Sequence, residues 1–238
     1  MTRATVRGIG VGLMALVLAG VAYLSATTPS AADLDHRIDG IVTANLVQRL
    51  APDQVPPVLA GALVAIEDEH FYSHHGLDSI GLARALLTDA VGRCACEGGS
   101  TITQQLADMV YYPGSPPLSR KLASMVVALR IEAQHSKPEI LADYLSITPT
   151  GRGLVGAQAA SCAYFGHPIG QLTLGQAAEI AGMPQAPSAY DPRFAPNLAR
   201  QRRNEVLGRM VADHYVTAGQ AAAAEAEPVL AERTGCAG

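Results

Sequence analysis

The sequence predicts an all-α domain, and three observations carry that expectation. No run of alternating apolar and polar residues is long enough for a half-buried strand. Gly and Pro instead divide the chain into stretches of helical length and composition. Several of those stretches open on capping signals. With 238 residues, 49% of them hydrophobic, there is material for one medium-sized domain with a real core and an appended segment, and two large domains would not fit.

The appended segment is N-terminal. Arg3 and Arg7 precede an uncharged run, residues 8–24, and the first acidic residues are Asp33 and Asp35. As a helix the run would span about 26 Å at about 1.5 Å per residue, close to the thickness of a hydrocarbon core. Basic residues before it and acidic ones after it place the N-terminus inside and the bulk of the chain outside. The run is longer than most signal-peptide cores, which favours an anchor over a cleaved signal with Ser30-Ala31-Ala32 as the cleavage site. Both put the domain outside the cytoplasm. The expected layout is a short cytoplasmic tail (1–7), a transmembrane signal-anchor (8–24), a linker and membrane-proximal segment (25–50), the main domain (51–226) and a C-terminal tail (227–238).

Within the main domain, Val58 to Ile66 is apolar and reads as a buried helix. Ser136-Lys137-Pro138-Glu139 combines an N-cap Ser, a first-turn Pro and a capping-box Glu, and Thr173-Leu174-Gly175-Gln176 is a weaker capping box. Leu118 to Gln134, Leu198 to Ala212 and Ala218 to Ala226 have helical composition, with Thr217 as a cap for the last. Thr148 to Gly156, holding Pro149, Gly151 and Gly153, reads as a loop, and no internal repeat is visible.

A net charge of -4 with no dense Lys/Arg tract gives no field for nucleic acid. The low charged fraction, 16%, points instead to a protein that spends part of its surface on lipid. Cys94, Cys96, Cys162 and Cys236 belong to a compartment where disulfides form, but four cysteines leave the pairing open. Cys94 and Cys96 are too close to bond each other without strain, and their spacing is not that of a thiolate zinc site.

The chemistry concentrates where the apolar stretch ends in Glu67-Asp68-Glu69. Three acids at a helix C-terminus face the negative end of the macrodipole and repel one another, which raises carboxyl pKa values toward those useful in a general base. A solvated acidic turn is the bland alternative. His70 and His74, spaced i, i+4, would suit a metal on a helix, but Phe71-Tyr72 and Gly76 indicate a turn. Further on, Gly98-Gly99-Ser100 before Thr101-Ile102-Thr103-Gln104-Gln105 has the shape of a flexible approach, an N-cap and a polar first turn. The backbone N-H groups of such an end can hold a diphosphate, and Thr and Gln side chains can bind sugar hydroxyls.

Taken together these segments resemble the peptidoglycan glycosyltransferases (glycosyltransferase family 51, the transglycosylase domain of penicillin-binding proteins). Glu67-Asp68, Phe71, His74 and Gly76 match E-D-x-x-F-x-x-H-x-G, and residues 98–105 match G-G-S-T-I-T-Q-Q. The likeness runs on through Arg120-Lys121, Glu139-Ile140-Leu141, Tyr144-Leu145, Gly151, Gly153, Gly156, Tyr164-Phe165-Gly166, Met183-Pro184-Gln185-Ala186-Pro187-Ser188 and Tyr190-Asp191-Pro192. It implies a lysozyme-like helical domain with a small membrane-proximal jaw, at the bacterial inner membrane. The implied substrate is a polyprenyl-diphosphate-linked disaccharide (lipid II) and the growing glycan chain. By that likeness Glu67 is the general base of an inverting transfer, supported by Asp68. Ser100, Thr101, Gln104 and Gln105 line the cleft, Arg120 and Lys121 lie near the diphosphate, and Phe71, His74, Gly76, Gly98 and Gly99 shape the loops. Other cell-wall synthases are implied as partners. No S-x-x-K and K-T-G pair is present, so the likeness is to the monofunctional branch.

The pattern is broken at two positions of the donor side. Where Q-Q-L-x-K-N carries a lysine, this chain has Asp108, followed by Met109, and where R-K-x-x-E carries a glutamate it has Ser124. Ser146 replaces a usual Asn, and Pro116 stands where an arginine is often found. A unit charge about 4 Å from a phosphate at an effective dielectric near 20 interacts by roughly 4 kcal/mol, so a reversed sign could cost several decades of rate. One way to restore attraction is a divalent ion, Mg or Mn, bridging Asp108 and the diphosphate. The alternative is a degenerate transglycosylase fold that binds glycan or a synthase without turnover. A lysozyme-like hydrolase comes third, because the chain has no Trp for sugar stacking.

Overall fold

A computed structural model of the chain describes residues 3–81, 99–114, 117–230 and 236. Gly98, Cys94, Cys96 and Pro116 lie outside the described residues. Among those described, every regular element is helical, and the one β-type contact is an isolated bridge between Pro149 and Val155 in the expected loop.

The α-helices are α1 (Arg3–Thr27), α2 (Leu34–Ala44), α3 (Pro57–Glu67), α4 (Ile102–Tyr111), α5 (Pro117–Glu132), α6 (Lys137–Ile147), α7 (Ala157–Phe165), α8 (Leu174–Gly182), α9 (Pro196–Ala212) and α10 (Ala218–Glu225). They pack as two groups. In the first, α3, α8 and α9 pack on one another and α10 covers α9; in the second, α4 packs on α5 and α6. One apolar core runs through both, from Leu59 and Leu63 on α3 to Leu106 on α4, Ile140 on α6 and Val206 on α9. Burying each such side chain stabilises by about 1.5–3 kcal/mol.

Sequence explains why the central helices start and stop where they do. α3 begins on Pro57, whose missing N-H is no loss at a first turn, and carries apolar residues on all sides because it is buried on all sides. It ends at Glu67, since Asp68 leaves the helix at φ -160°, ψ 72°. Thr101 caps α4, accepting from the Gln104 N-H while the Gln104 side chain accepts from the Thr101 N-H. The cap is therefore Thr101, one residue past the Gly-Gly-Ser approach. Glu139 closes the start of α6 by accepting from the Ser136 N-H and hydroxyl, and Thr173 and Thr217 cap α8 and α10.

The segment 25–50, expected as a linker and membrane-proximal segment, contains α2, which buries Leu34, Ile38 and Val42. Arg49 ties it down, reaching Asp35 at 2.6 Å, Asp39 at 3.1 Å and the buried Asp143 of α6 at 2.8 Å. Ser146 acts beside it, accepting from the Leu50 N-H and donating to the Ala142 carbonyl. The end of α1 is fixed by Arg130 of α5, which donates to the carbonyls of Ser25, Thr28 and Pro29 at 2.6–2.7 Å. Among the described residues no helix is long and apolar enough to cross a membrane, so the span expected at residues 8–24 is seen as helix without being established as a membrane span. Cys162 of α7 is bonded to Cys236, the one pairing among the described residues.

Candidate active site

The two helix groups leave a cleft of about 440 Å³ between them. Its floor is the end of α3, with Glu67, Asp68 and Glu69. One wall is the start of α4, with Ser100, Thr101 and Gln105, and the other is α9, with Arg202, Glu205 and Arg209; Pro184, Gln185 and Asp78 complete the rim.

Glu67 is largely buried there. Its Oε2 accepts from the Gln105 amide at 2.8 Å, and the Gln105 amide oxygen in turn accepts from the Tyr144 hydroxyl at 2.8 Å. That second bond fixes which end of the amide faces Glu67. Oε1 has no hydrogen-bond partner among the described residues, and the nearest cation, Arg202, stops 3.7 Å away. Burial pushes the Glu67 carboxyl above the usual carboxylate range, against the lowering by Gln105 and Arg202, and neighbouring Asp68 adds a smaller push upward. Oε1 is itself buried, so the carboxyl at the cleft floor has one oxygen held and the other unpartnered, an environment that favours its protonated form.

Asp68 has a different position. Both its oxygens lie 2.9 Å from His74 Nε2, and Oδ2 also accepts from the Ile102 N-H at the start of α4. Because the Gly76 N-H donates to His74 Nδ1, the ring proton sits on Nε2 and points at Asp68. Asp68 therefore fastens the loop after α3 to the N-terminus of α4, which fixes Glu67 against Gln105. The loop is further braced by Phe71, fully buried beneath Lys137, whose ammonium lies 4.3 Å from the ring centroid. Lys137 pairs with Glu132 at 2.6 Å, and Glu132 accepts from Thr103 of α4. Gly76 sits at φ +92°, and a Cβ there would meet the α5 backbone at 3.0 Å, so loop and helix touch closely enough to require glycine. Residues 70–75 form a turn, as the sequence indicated, in which His70 faces Asp78 at 2.9 Å and His74 faces Asp68.

The polar turn of α4 divides its work. Ser100, Thr101 and Gln105 line the cleft, yet the Thr101 hydroxyl is committed to the Gly76 carbonyl and Gln104 to the helix cap. Gly99, Gln104 and Lys121 border a small cavity beside the cleft, together with Asp78. One turn beyond Gln104, Asp108 faces α5. Its Oδ2 lies 3.6 Å from Arg120, the nearby Ser124 hydroxyl donates to the Lys121 carbonyl at 3.1 Å, and Oδ1 is buried with no hydrogen-bond partner among the described residues. Burial raises the Asp108 carboxyl despite Ser124, Arg120 and Lys121. Among the described residues no group of three metal-ligating side chains is found, and the carboxylate expected to bridge a divalent ion to diphosphate is turned onto Arg120. The residues of this groove do not fit a resident divalent ion.

Arg202 and Glu205 were absent from the residues that sequence singled out. A signal existed: α9 buries Ala199, Arg202, Arg203, Val206, Leu207 and Met210, so two arginines fall on the inward stripe of an otherwise solvated helix.

The fold and this cleft define a helical protein that presents a buried, half-satisfied carboxyl between a polar helix start and an arginine. Comparison with known proteins agrees. The Transglycosylase family model matches residues 36–211, most of the chain. A putative transglycosylase of Cupriavidus necator is 36% identical over 219 residues, 91% of this chain and 94% of its own. Penicillin-binding protein 1A of Escherichia coli is 42% identical over 168 residues, 71% of this chain, and that of Vibrio cholerae is 42% identical over 178 residues, 75% of this chain. The chain spans only 20% and 22% of those two relatives. A solved structure of penicillin-binding protein 1A from Haemophilus influenzae matches with a TM-score of 0.48 at 24% identity, covering 79% of this chain and 18% of that one. The chain belongs to the transglycosylase family, an assignment that rests on the sequence matches.

Proposed function

We propose that this protein polymerises the glycan strands of bacterial peptidoglycan from a polyprenyl-diphosphate-linked disaccharide-peptide, with Glu67 as general base. The observation that carries the reading is the buried carboxyl of Glu67 at the floor of the cleft, with Oε1 unpartnered among the described residues and Oε2 held by the Tyr144–Gln105 relay. In the proposed step the Glu67 carboxylate takes the proton from the 4-hydroxyl of the acceptor sugar. The hydroxyl oxygen bonds to the donor's anomeric carbon from the face opposite the diphosphate, the carbon–oxygen bond to the diphosphate breaks, and configuration inverts. Lys121, Arg120 and the backbone N-H groups near Gly99 and Ser100 are the groups proposed to meet the leaving diphosphate. The anchor at residues 8–24, an inner-membrane location with the domain outside, and association with other cell-wall synthases belong to the same proposal.

The test incubates the full chain in detergent with lipid II and compares it with Glu67→Gln. Glycan polymer from the wild type and loss of at least about 100-fold in the variant is expected; equal polymerisation by both would refute the role of Glu67. One observation favours a second reading, a glycan-binding protein without turnover: Asp108 partly neutralises Arg120 on the proposed donor side. That reading predicts no polymer, with or without EDTA, and retained binding of glycan strands.

A further inference from the structure

The cation nearest Glu67 is shared between two carboxylates. Arg202 is buried, donates from Nε to the Gly182 carbonyl at 3.0 Å, and donates from Nη1 to Glu205 at 2.9 Å. Its remaining arm stops 3.7 Å from the free Oε1 of Glu67, beyond hydrogen-bond distance. Glu205 is 55% exposed and gains nothing in burial from the pair, while it lines the same cleft as Glu67. We propose that Arg202 is the positioning residue for Glu67, and that Glu205 sets the strength of this hold by drawing the guanidinium back from the carboxylate.

The physical need for such a divided cation is plain. A carboxylate gripped by both arms of a guanidinium is a poor base, because the charged form is over-stabilised. A buried carboxylate with no cation stays protonated and cannot act as one. Holding one arm on Glu205 and the Nε on Gly182 leaves Glu67 between these limits. The other groups around Glu67 do not supply this balance. Asp68 is the next residue, Gln105 of α4 is neutral and occupies the other oxygen, Tyr144 of α6 stands behind Gln105, and Glu69, Asp78 and Arg209 lie along the rim.

The inference rests on Glu67 being the base, so the deciding measurement is the titration of Glu67 itself. It is followed by carboxyl ¹³C NMR of the full chain in detergent and assigned by its loss in Glu67→Gln. Arg202→Gln is expected to move the midpoint up by about one pH unit, and Arg202→Lys to bring it back toward wild type. Glu205→Gln, an exposed position where the fold is not at risk, is expected to move it down. In the Arg202→Gln background Glu205→Gln is expected to add nothing, because its effect passes through Arg202. A downward shift from Glu205→Gln that persists without Arg202, or single variants that shift the midpoint the same way or not at all, would overturn the proposal. The acidic limb of kcat/KM against pH should follow the same order. Absence of polymer from the wild type would sink the functional reading, while the titration would still decide the Arg202–Glu205 pair.

Discussion

Glu179 offers the sharpest test of how this fold is held together. It lies on α8, the helix that packs on both α3 and α9 and so supports Glu67 and Arg202. Its side chain is buried, and neither carboxyl oxygen has a hydrogen-bond partner among the described residues. The fully buried Arg203 is near, but it donates to the carbonyls of Glu225 and Glu227 at 2.7 Å and to Asn204, so its attraction for Glu179 acts only through space. Burial dominates and pushes the carboxyl from 4.5 up to about 8. Between those values the folded protein keeps a proton that the unfolded chain has released. The contribution is therefore most favourable below pH 4.5 and is lost as pH rises to about 8, with a total of roughly 5 kcal/mol at about 1.4 kcal/mol per unit. Asp78, held low against burial by the Gly81 backbone N-H and then by His70, and Asp191, held low against burial by Arg193, act in the opposite sense, so the raw pH profile mixes both. Urea unfolding of wild type and Glu179→Gln at half-unit steps from pH 5 to pH 8 removes them by subtraction. The stability of the variant relative to wild type should rise by roughly 3–4 kcal/mol across that range. A difference constant within about 0.5 kcal/mol would show that Glu179 is already ionised in the folded state and refute the reasoning.

Three further outcomes follow from the same geometry. Gly76→Ala should cost about 2–4 kcal/mol, from positive φ and the contact with α5, read as a lower urea midpoint with unchanged slope. Asp68→Asn, which weakens the charge-assisted bonds to His74 and the Ile102 N-H, should lose about 2–3 kcal/mol and leave a folded protein in which hydrogen exchange at Ile102 is accelerated. Breaking the Cys162–Cys236 bond, by reductant or by Cys236→Ser, should lower stability by up to about 4 kcal/mol for a separation of 74 residues, seen as a drop in Tm that reductant does not deepen in the variant.

How much of this was legible in sequence depended on whether the signal was local. The capping boxes at Thr173 and Ser136, the loop at Thr148–Gly156 and the helix through Val58–Ile66 are written in a few consecutive residues, and each is found within one or two residues of its expected place. Glu67 could be singled out because an acidic run breaks a local rule at a helix end. What lay beyond reach were the long-range partners. Nothing near Gln105 announces that Tyr144, 39 residues later, will orient its amide, or that Asp68 will reach 34 residues on to the start of α4. The resemblance implies that Asp68 supports Glu67, and its partners, His74 and the Ile102 N-H, lie in parts of the chain that its neighbours in sequence do not announce. The cysteines give the same lesson: four thiols left the pairing open, and the fold brings Cys162 of α7 to Cys236.

The two sides of the cleft are held together differently. On the acceptor side Glu67 is coupled to Gln105, Tyr144 and the Asp68–His74 clasp, so a change in any one leaves another buried polar group without its partner. On the other side the groove between α4 and α5 holds Asp108 and Ser124 face to face, with Arg120 3.6 Å from the carboxylate. The ion pair of Asp108 with Arg120 crosses the groove and reduces its net positive charge. In the proposed polymerase that arrangement weakens the hold on the diphosphate, and Asp108→Asn is expected to lower KM for lipid II at unchanged kcat; an unchanged KM would refute the placement of the diphosphate beside Arg120.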